Sequence, residues 1–281
     1  MKNKNTLGNH TSNFMKYRYL LKELVNKNIK LQYRDSVLGV FWTFLQPLLN
    51  MIVLSLVFNN LFGKDNSKVV NYPVYLLCGR LMFEFFTKST KKAMKSIRSH
   101  AGIIKKVYVP KYIYPVSSVL STFVTSMVSL LVLVFVVAFF NIAKINPIDI
   151  TWRVIFVLVP ILIVFVLSLG VSMILATADV FFKDVENIYD VFTTLLFYLT
   201  PIVYHPDRLG FAEGSFMSYV IKLNPLGGIV GMFRACVIWG NDFIQYWDFG
   251  QMYYCIGFSV VTLIIGFVLF YKNQDKFILH I

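Results

Sequence analysis

Charge disappears from this chain in long blocks. No Asp, Glu, Lys or Arg occurs at 36–63, 112–143, 154–178, 191–206 or 249–271. A helix rises about 1.5 Å per residue, so roughly 20 residues cross about 30 Å of hydrocarbon, and every gap except 191–206 exceeds that length. A net charge of +13 would suit a nucleic-acid partner, but 57% hydrophobic residues would leave a soluble protein covered in exposed apolar surface. No nucleic acid is expected, and the chain reads as an all-α integral membrane protein.

Spans follow at 36–62, 112–141, 154–178 and 251–271, and a helix begun near Val185 carries Glu186 and Asp190 at its entrance and gives another at 185–204. The stretch 69–88 holds YPVYLLCGRLMFEFF with Arg80 and Glu84 inside it, so hydropathy alone does not establish it. Charge parity does. Residues 1–35 carry eight Lys or Arg, and residues 88–111 carry eight more with no acid among them, so both belong on the cytoplasmic side. A chain that leaves through 36–62 must return before Lys88, and only 69–88 can bring it back. Six crossings result, with both termini inside, 19 positive residues inside, 7 outside and Arg80 within the membrane.

Ahead of the first span, 13–34 reads as a helix with Phe14, Tyr17, Leu20, Leu21, Leu24, Val25 and Leu31 on one face. Lys16, Arg18, Lys22, Lys27, Lys30 and Arg34 occupy the other, the pattern of a helix lying in the membrane surface. No short apolar core precedes a small-residue cleavage site near residue 20, so this segment is expected to stay on the mature protein. Between the last two spans, 205–248 is too apolar for an ordinary loop. SFMSYVIKL and GGIVGMFRACVIW, separated by Asn224-Pro225, read as two outward-side helices that dip part-way into the bilayer. A surface hairpin, or two further crossings, would also fit, and neither moves the termini. Asn224, Pro225 and Arg234 are the candidate residues of an outward-side gate.

Several chemistries are missing. No G-x-x-x-x-G-K-[ST] loop exists to cradle phosphates, no H-E-x-x-H occurs, Cys78, Cys236 and Cys255 lack metal spacing, and the His residues at 10, 100, 205 and 280 are scattered. The chain is expected to have no enzyme activity, metal or bound cofactor of its own, so energy must come from a partner.

Five segments, in order, resemble the membrane subunit of ABC-2 type exporters, in the branch that exports polysaccharide, O-antigen or teichoic acid. They are KNIKLQYRDSVLGVFWTFLQPLL from Lys27, HAGIIKKVYVPKYIYPVSSVLS at 100–121, ADVFFKDVENI at 178–188, FYLTPIVY at 197–204 and NPLGGIVGMFRACVIWG at 224–240. The chain departs from the family at GRLMFEFF, where many relatives carry a GLLPW-like turn. The resemblance implies one transmembrane domain over 1–281, a homodimer, and two copies of a separate ATPase that holds ATP and Mg²⁺. It also implies transfer of a polyprenyl-diphosphate-linked polymer from the inner to the outer leaflet of the bacterial plasma membrane. It makes 95–111 a coupling helix that docks on the ATPase, with Ile103, Ile104, Val107 and Tyr108 as anchors and Lys105, Lys106, Pro110 and Lys111 around them. Topology alone explains those lysines but not the apolar residues among them.

Arg80 and Glu84 are four residues apart and share a helix face, which should point to a partner or a watery path because an Arg at the bilayer centre costs roughly 2.5–3.5 kcal/mol. Aromatic rings pack against sugar C–H faces, which makes Trp42, Phe44, Tyr75, Phe83, Phe86, Phe197, Tyr198 and Tyr204 candidate pathway residues, although each also suits plain packing. Lys and Arg on the inner face would draw a diphosphate head, and they would equally attract anionic lipids. Pro47 and Pro201 are expected inside spans, and Gly227-x-x-x-Gly231 permits close helix contact. Two other readings stay open: export of a drug or simple lipid, and a polytopic glycosyl- or acyltransferase.

Overall fold

The computed structural model describes residues 6–58, 71–107, 109–205, 216–240 and 242–281. Among them every regular element is helical: α1 Thr6–Tyr33, α2 Trp42–Phe58, α3 Tyr72–Met94, α4 Ser96–Ser99, α5 Ala101–Ile104, α6 Ile113–Ile142, α7 Leu158–Phe181, α8 Val185–Leu199, α9 Phe216–Leu223, α10 Pro225–Val237, α11 Phe243–Tyr246, α12 Phe249–Asn273 and α13 Phe277–His280. Four segments are long and apolar enough to cross a membrane: Gly39–Phe58, Ile113–Ile142, Trp152–Phe181 and Phe249–His280.

α3 is the hub. It packs against α2, α6, α7 and α10, and nearly all of its apolar side chains from Tyr72 to Phe86 are buried. That placement explains its low hydropathy: a helix surrounded by protein need not be apolar all round, whereas one facing lipid must be. Its start is fixed locally, since the Asn71 side chain accepts from the Val74 N–H and Pro73 occupies the first turn, where no intrahelical donor is needed. α10 begins the same way, with Asn224 accepting from Leu226 N–H at 3.1 Å and Pro225 as its first residue.

A second cluster, at the lysine-rich end of the bundle, joins Leu24 of α1, Ile97, Ile104, the start of α6, the end of α7 and Phe277 of α13. Leu24, Tyr17, Leu20 and Leu21 of the apolar face read in α1 pack on this cluster, while Leu31 stays exposed and the Phe14 side chain lies outside the described residues. The first and last helices end up at the same end of the molecule.

Two expectations change. The helix expected over 185–204 stops at Leu199, and Pro201 sits beyond its end rather than kinking it. At 15 residues α8 is about 22 Å long, short of a full crossing. The close approach expected at Gly227 and Gly231 falls instead on Gly228, where an added Cβ would meet Gln251 and the Cys255 sulfur at 2.6–2.8 Å; at Gly231 it would meet nothing. Pro47, by contrast, does lie inside its helix, buried.

The tightest helix pair is α7 with α12. A Cβ at Gly170 would lie 2.6 Å from the Leu263 backbone nitrogen, and one at Gly266 would run into the Gly170 carbonyl. Backbone cannot yield as a side chain can, so Gly266→Leu is expected to destabilise the bundle by about 1–3 kcal/mol, the usual range for overpacking. Gly257→Leu, on the same helix but with open space around it, should be nearly neutral. Thermal unfolding in detergent compares the two, and equal midpoints would refute the assignment.

Candidate functional site

A groove of about 920 Å³ lies between α1, α2, α3, α6 and α7. Its chemistry is graded along its length. Lys27, Lys88, Lys91, Lys92 and Lys95 line the lysine-rich end, together with His100, while Leu81, Met82, Phe85, Phe123, Leu130 and Val164 line the rest. Thr122, Thr125, Ser126 and Ser129 of α6 contribute hydroxyls along one wall. Burial pushes His100 below the ordinary imidazole range; the Ser96 carbonyl, 2.8 Å from Nδ1, works against this and the charge on Lys27 works with it. Its surroundings thus disfavour the charged imidazole.

Arg80 and Glu84 meet as their spacing predicts. Arg80 Nε donates to Glu84 Oε1 at 2.6 Å, Lys88 Nζ donates to Oε2 at 2.9 Å, and Lys88 also reaches Gln46 on α2 at 3.3 Å. Glu84 lines the groove, whereas Arg80 is not among its lining residues. The Arg80 guanidinium lies 5.8 Å from the Phe197 ring, which meets Phe83 edge-on at 5.4 Å. Of the aromatic candidates only Trp42 lines this groove. Phe44 is taken up between Phe41 and Phe135, and Phe86 lines a separate apolar cavity of about 440 Å³ between α7 and α8.

The remaining candidates form a second constellation at the opposite end. Beyond α8 the chain runs without helix through Pro201–Tyr204, and four consecutive carbonyls there are each capped by a side chain. Arg234 Nη1 donates to Pro201 at 2.6 Å and Nη2 to Ile202 at 2.8 Å; the Tyr72 hydroxyl donates to Val203 at 2.7 Å and the Tyr75 hydroxyl to Tyr204 at 3.0 Å. Asn224 adds a bond from Nδ2 to the Thr200 hydroxyl at 2.9 Å. Tyr204 in turn donates to the carbonyl of Tyr198, whose ring is exposed. Non-helical backbone at membrane depth survives only when its polar groups are satisfied by protein, and this turn meets that condition donor by donor. Asn224 and Arg234 thus act on the break after α8, with Pro225 fixing the start of the helix that carries Arg234.

The expected coupling helix is two short turns, α4 and α5, interrupted at His100. Val107, Lys105 and Lys106 are exposed, as is Ile103, and Pro110 is half-buried. Ile104, unlike its neighbour Ile103, is buried in the second cluster. Lys111 is also turned inward, donating to the Gln274 carbonyl near α13 rather than facing out. Tyr108 lies outside the described residues. Behind α4 runs a row of ties that no spacing rule suggests: Thr90 to the Tyr189 hydroxyl, Lys91 to Asp190, Lys95 to Glu186, and Arg98 to Asp179. They join α3 and α4 to the junction of α7 and α8.

Residues 19–238 match the family model described as ABC-2 type transporter. The chain belongs to the ABC-2 type transporter family. Membership makes it a membrane protein and implies an ATP-binding cassette partner. Among its relatives is an O-antigen export system permease protein RfbA of Klebsiella pneumoniae, 26% identical over 92% of this chain and 93% of that one. One with the same name in Myxococcus xanthus is 31% identical over 78% of this chain and 80% of that one. The polysialic acid transport protein KpsM of Escherichia coli is 21% identical over 94% and 97%. The groove and the capped turn are where most of the candidate residues of this chain gather. The sequence pointed to residues of both, but not to the gathering of the lysines in one groove, whose walls come from helices far apart in the chain.

Proposed function

We propose that this chain is the permease subunit of an exporter that moves a glycopolymer, carried on a polyprenyl diphosphate, from the inner to the outer leaflet of a bacterial plasma membrane. In this reading six helices cross: the four long apolar segments, α3, and α8 extended by its capped turn. The termini and the lysine-rich end face the cytoplasm, α9 and α10 lie on the outer side, and two copies of the chain work with two ATPase subunits that hold ATP and Mg²⁺. The polymer belongs to the class of O-antigen, capsular polysaccharide and teichoic acid.

The groove carries this reading. A cavity that is cationic at one end and apolar along the rest matches an amphiphile with an anionic head and a long hydrocarbon tail, and such a lipid would be drawn by about 1 kcal/mol per basic residue near the membrane surface. The relatives supply the cargo class, since their names concern O-antigen export and polysialic acid transport. The test is ATP hydrolysis by the chain reconstituted with its ATPase. Polyprenyl diphosphate loaded with glycan is expected to raise the rate several-fold, and a simple phospholipid or drug is not. Stimulation by the drug alone would reassign the cargo, and sugar transfer by the purified chain without its ATPase would make it a transferase.

A further inference from the structure

The lysines of the groove are not equivalent. Lys88 shares the Glu84 carboxylate with Arg80, Lys91 pairs with Asp190 at 2.7 Å, and Lys95 pairs with Glu186. Lys27 and Lys92 have no carboxylate partner among the described residues; Lys92 Nζ reaches only the side-chain oxygen of Gln32, at 3.3 Å. Asn28, which follows Lys27 in the chain, lines the same groove; it is 8% exposed, and its buried Nδ2 has no hydrogen-bond acceptor among the described residues. Leaving a buried donor unpaired is costly, and a side chain in that state beside two uncompensated cations is arranged for an acceptor that carries negative charge.

We propose that Lys27, Asn28 and Lys92 form a seat for the phosphoryl head of a membrane amphiphile, whose tail runs along the apolar part of the groove. The charges sort the ligand. Lys88, Lys91 and Lys95 are held by acids and shape the wall, whereas the seat supplies two net positive charges and two N–H donors, enough to engage a diphosphate from two sides. His100 has its Nδ1 at the Ser96 carbonyl, and burial disfavours its charged form there. In naming a polyprenyl diphosphate as occupant, the proposal rests on the export reading above.

The test uses the full chain in phosphatidylcholine nanodiscs, with binding read by native mass spectrometry for a polyprenyl diphosphate without sugar and for the free polyprenol of the same length. The diphosphate is expected to bind at least about tenfold more tightly, a difference the method resolves. The double variant Lys27→Gln, Lys92→Gln and the single variant Asn28→Asp should bind both lipids alike, and Lys92→Arg should keep the preference. Variants that retain the preference would overturn the seat. So would displacement of the bound lipid by equimolar inorganic diphosphate, which assigns the site to free phosphate, or by equimolar phosphatidylglycerol, which assigns it to any anionic lipid. Should Asn28→Asp fail to fold, the lysine pair decides alone. Surface glycopolymer in cells lacking the chain separates the two readings: polymer still exported there sinks the export function and leaves the binding result untouched.

Discussion

Arg234→Leu is expected to remove the folded chain from the membrane. The side chain is 3% exposed, and its guanidinium supplies the hydrogen bonds of three carbonyls, those of Tyr75, Pro201 and Ile202. It lies 3.5 Å from the centroid of the Tyr75 ring, and no carboxylate pairs with it among the described residues. Leucine would fill part of the space and cap none of the three. Each buried carbonyl stripped of its donor costs about 1–3 kcal/mol, so the sum rivals the roughly 5–15 kcal/mol that holds a typical fold together. Arg234→Lys can restore one bond and should give a folded protein with a lowered melting temperature. Gly79→Ala gives a graded version, since its Cβ would stand 2.5 Å from Arg234 Nη2 and push a side chain that is already tied at three points. Immunoblots of membranes and thermal unfolding in detergent should rank the variants as alanine at 79 mildest and leucine at 234 worst. A leucine variant that accumulates and melts like the parent would show that the turn after α8 does not depend on its caps.

The role of Arg234 was only half legible in the sequence. The chain order Asn224-Pro225 marks a helix start by local chemistry, and Thr200-Pro201 marks a helix end for the same reason, yet Pro201 reads equally as a kink until the partners of the turn are known. Those partners come from α3 and α10, far away in the chain. The long spans were legible because lipid is an unforgiving solvent: Ile113–Ile142 and Phe249–Asn273 lie within two residues of the charge-free limits. α3 was legible only through the arithmetic of sidedness, since protein rather than lipid surrounds it. Ile104 and Lys111 show the opposite limit, as a short segment with mixed apolar and basic residues gives no sign of which side faces inward. The groove is harder still. Lys27, Asn28 and Lys92 are ordinary members of two basic tracts, and what distinguishes them from Lys88, Lys91 and Lys95 is where acids lie: Glu84 one turn back on α3 for Lys88, and Asp190 and Glu186, far along the chain, for Lys91 and Lys95.

Arg98→Ala should disable the chain more severely than loss of the acid it faces. Asp179, on the last turn of α7, has a side chain that is 1% exposed, and neither carboxylate oxygen accepts a hydrogen bond among the described residues. Its compensation is the charge of Arg98, whose Nε stands 3.4 Å from Oδ2 while Nη2 donates to the Asp179 backbone carbonyl. Removing the arginine strands a buried carboxylate, which costs about 3–5 kcal/mol. Asp179→Asn removes the charge and leaves Arg98, 27% exposed, still bonded to the carbonyl and able to reach water, so its effect should be near 1 kcal/mol. The double variant then carries the argument: with no carboxylate to strand, it should be more stable than Arg98→Ala alone, a coupling of the kind double-mutant cycles measure. The same three proteins probe transmission, because Arg98 lies on α4, in the loop proposed to meet the ATPase, and Asp179 lies at the junction leading into α8. If the pair relays motion, the double variant should recover its melting temperature while ATP hydrolysis stays insensitive to loaded carrier. Recovery of both would reduce the pair to a local charge balance, and recovery of neither would mean that the arginine acts through packing rather than charge.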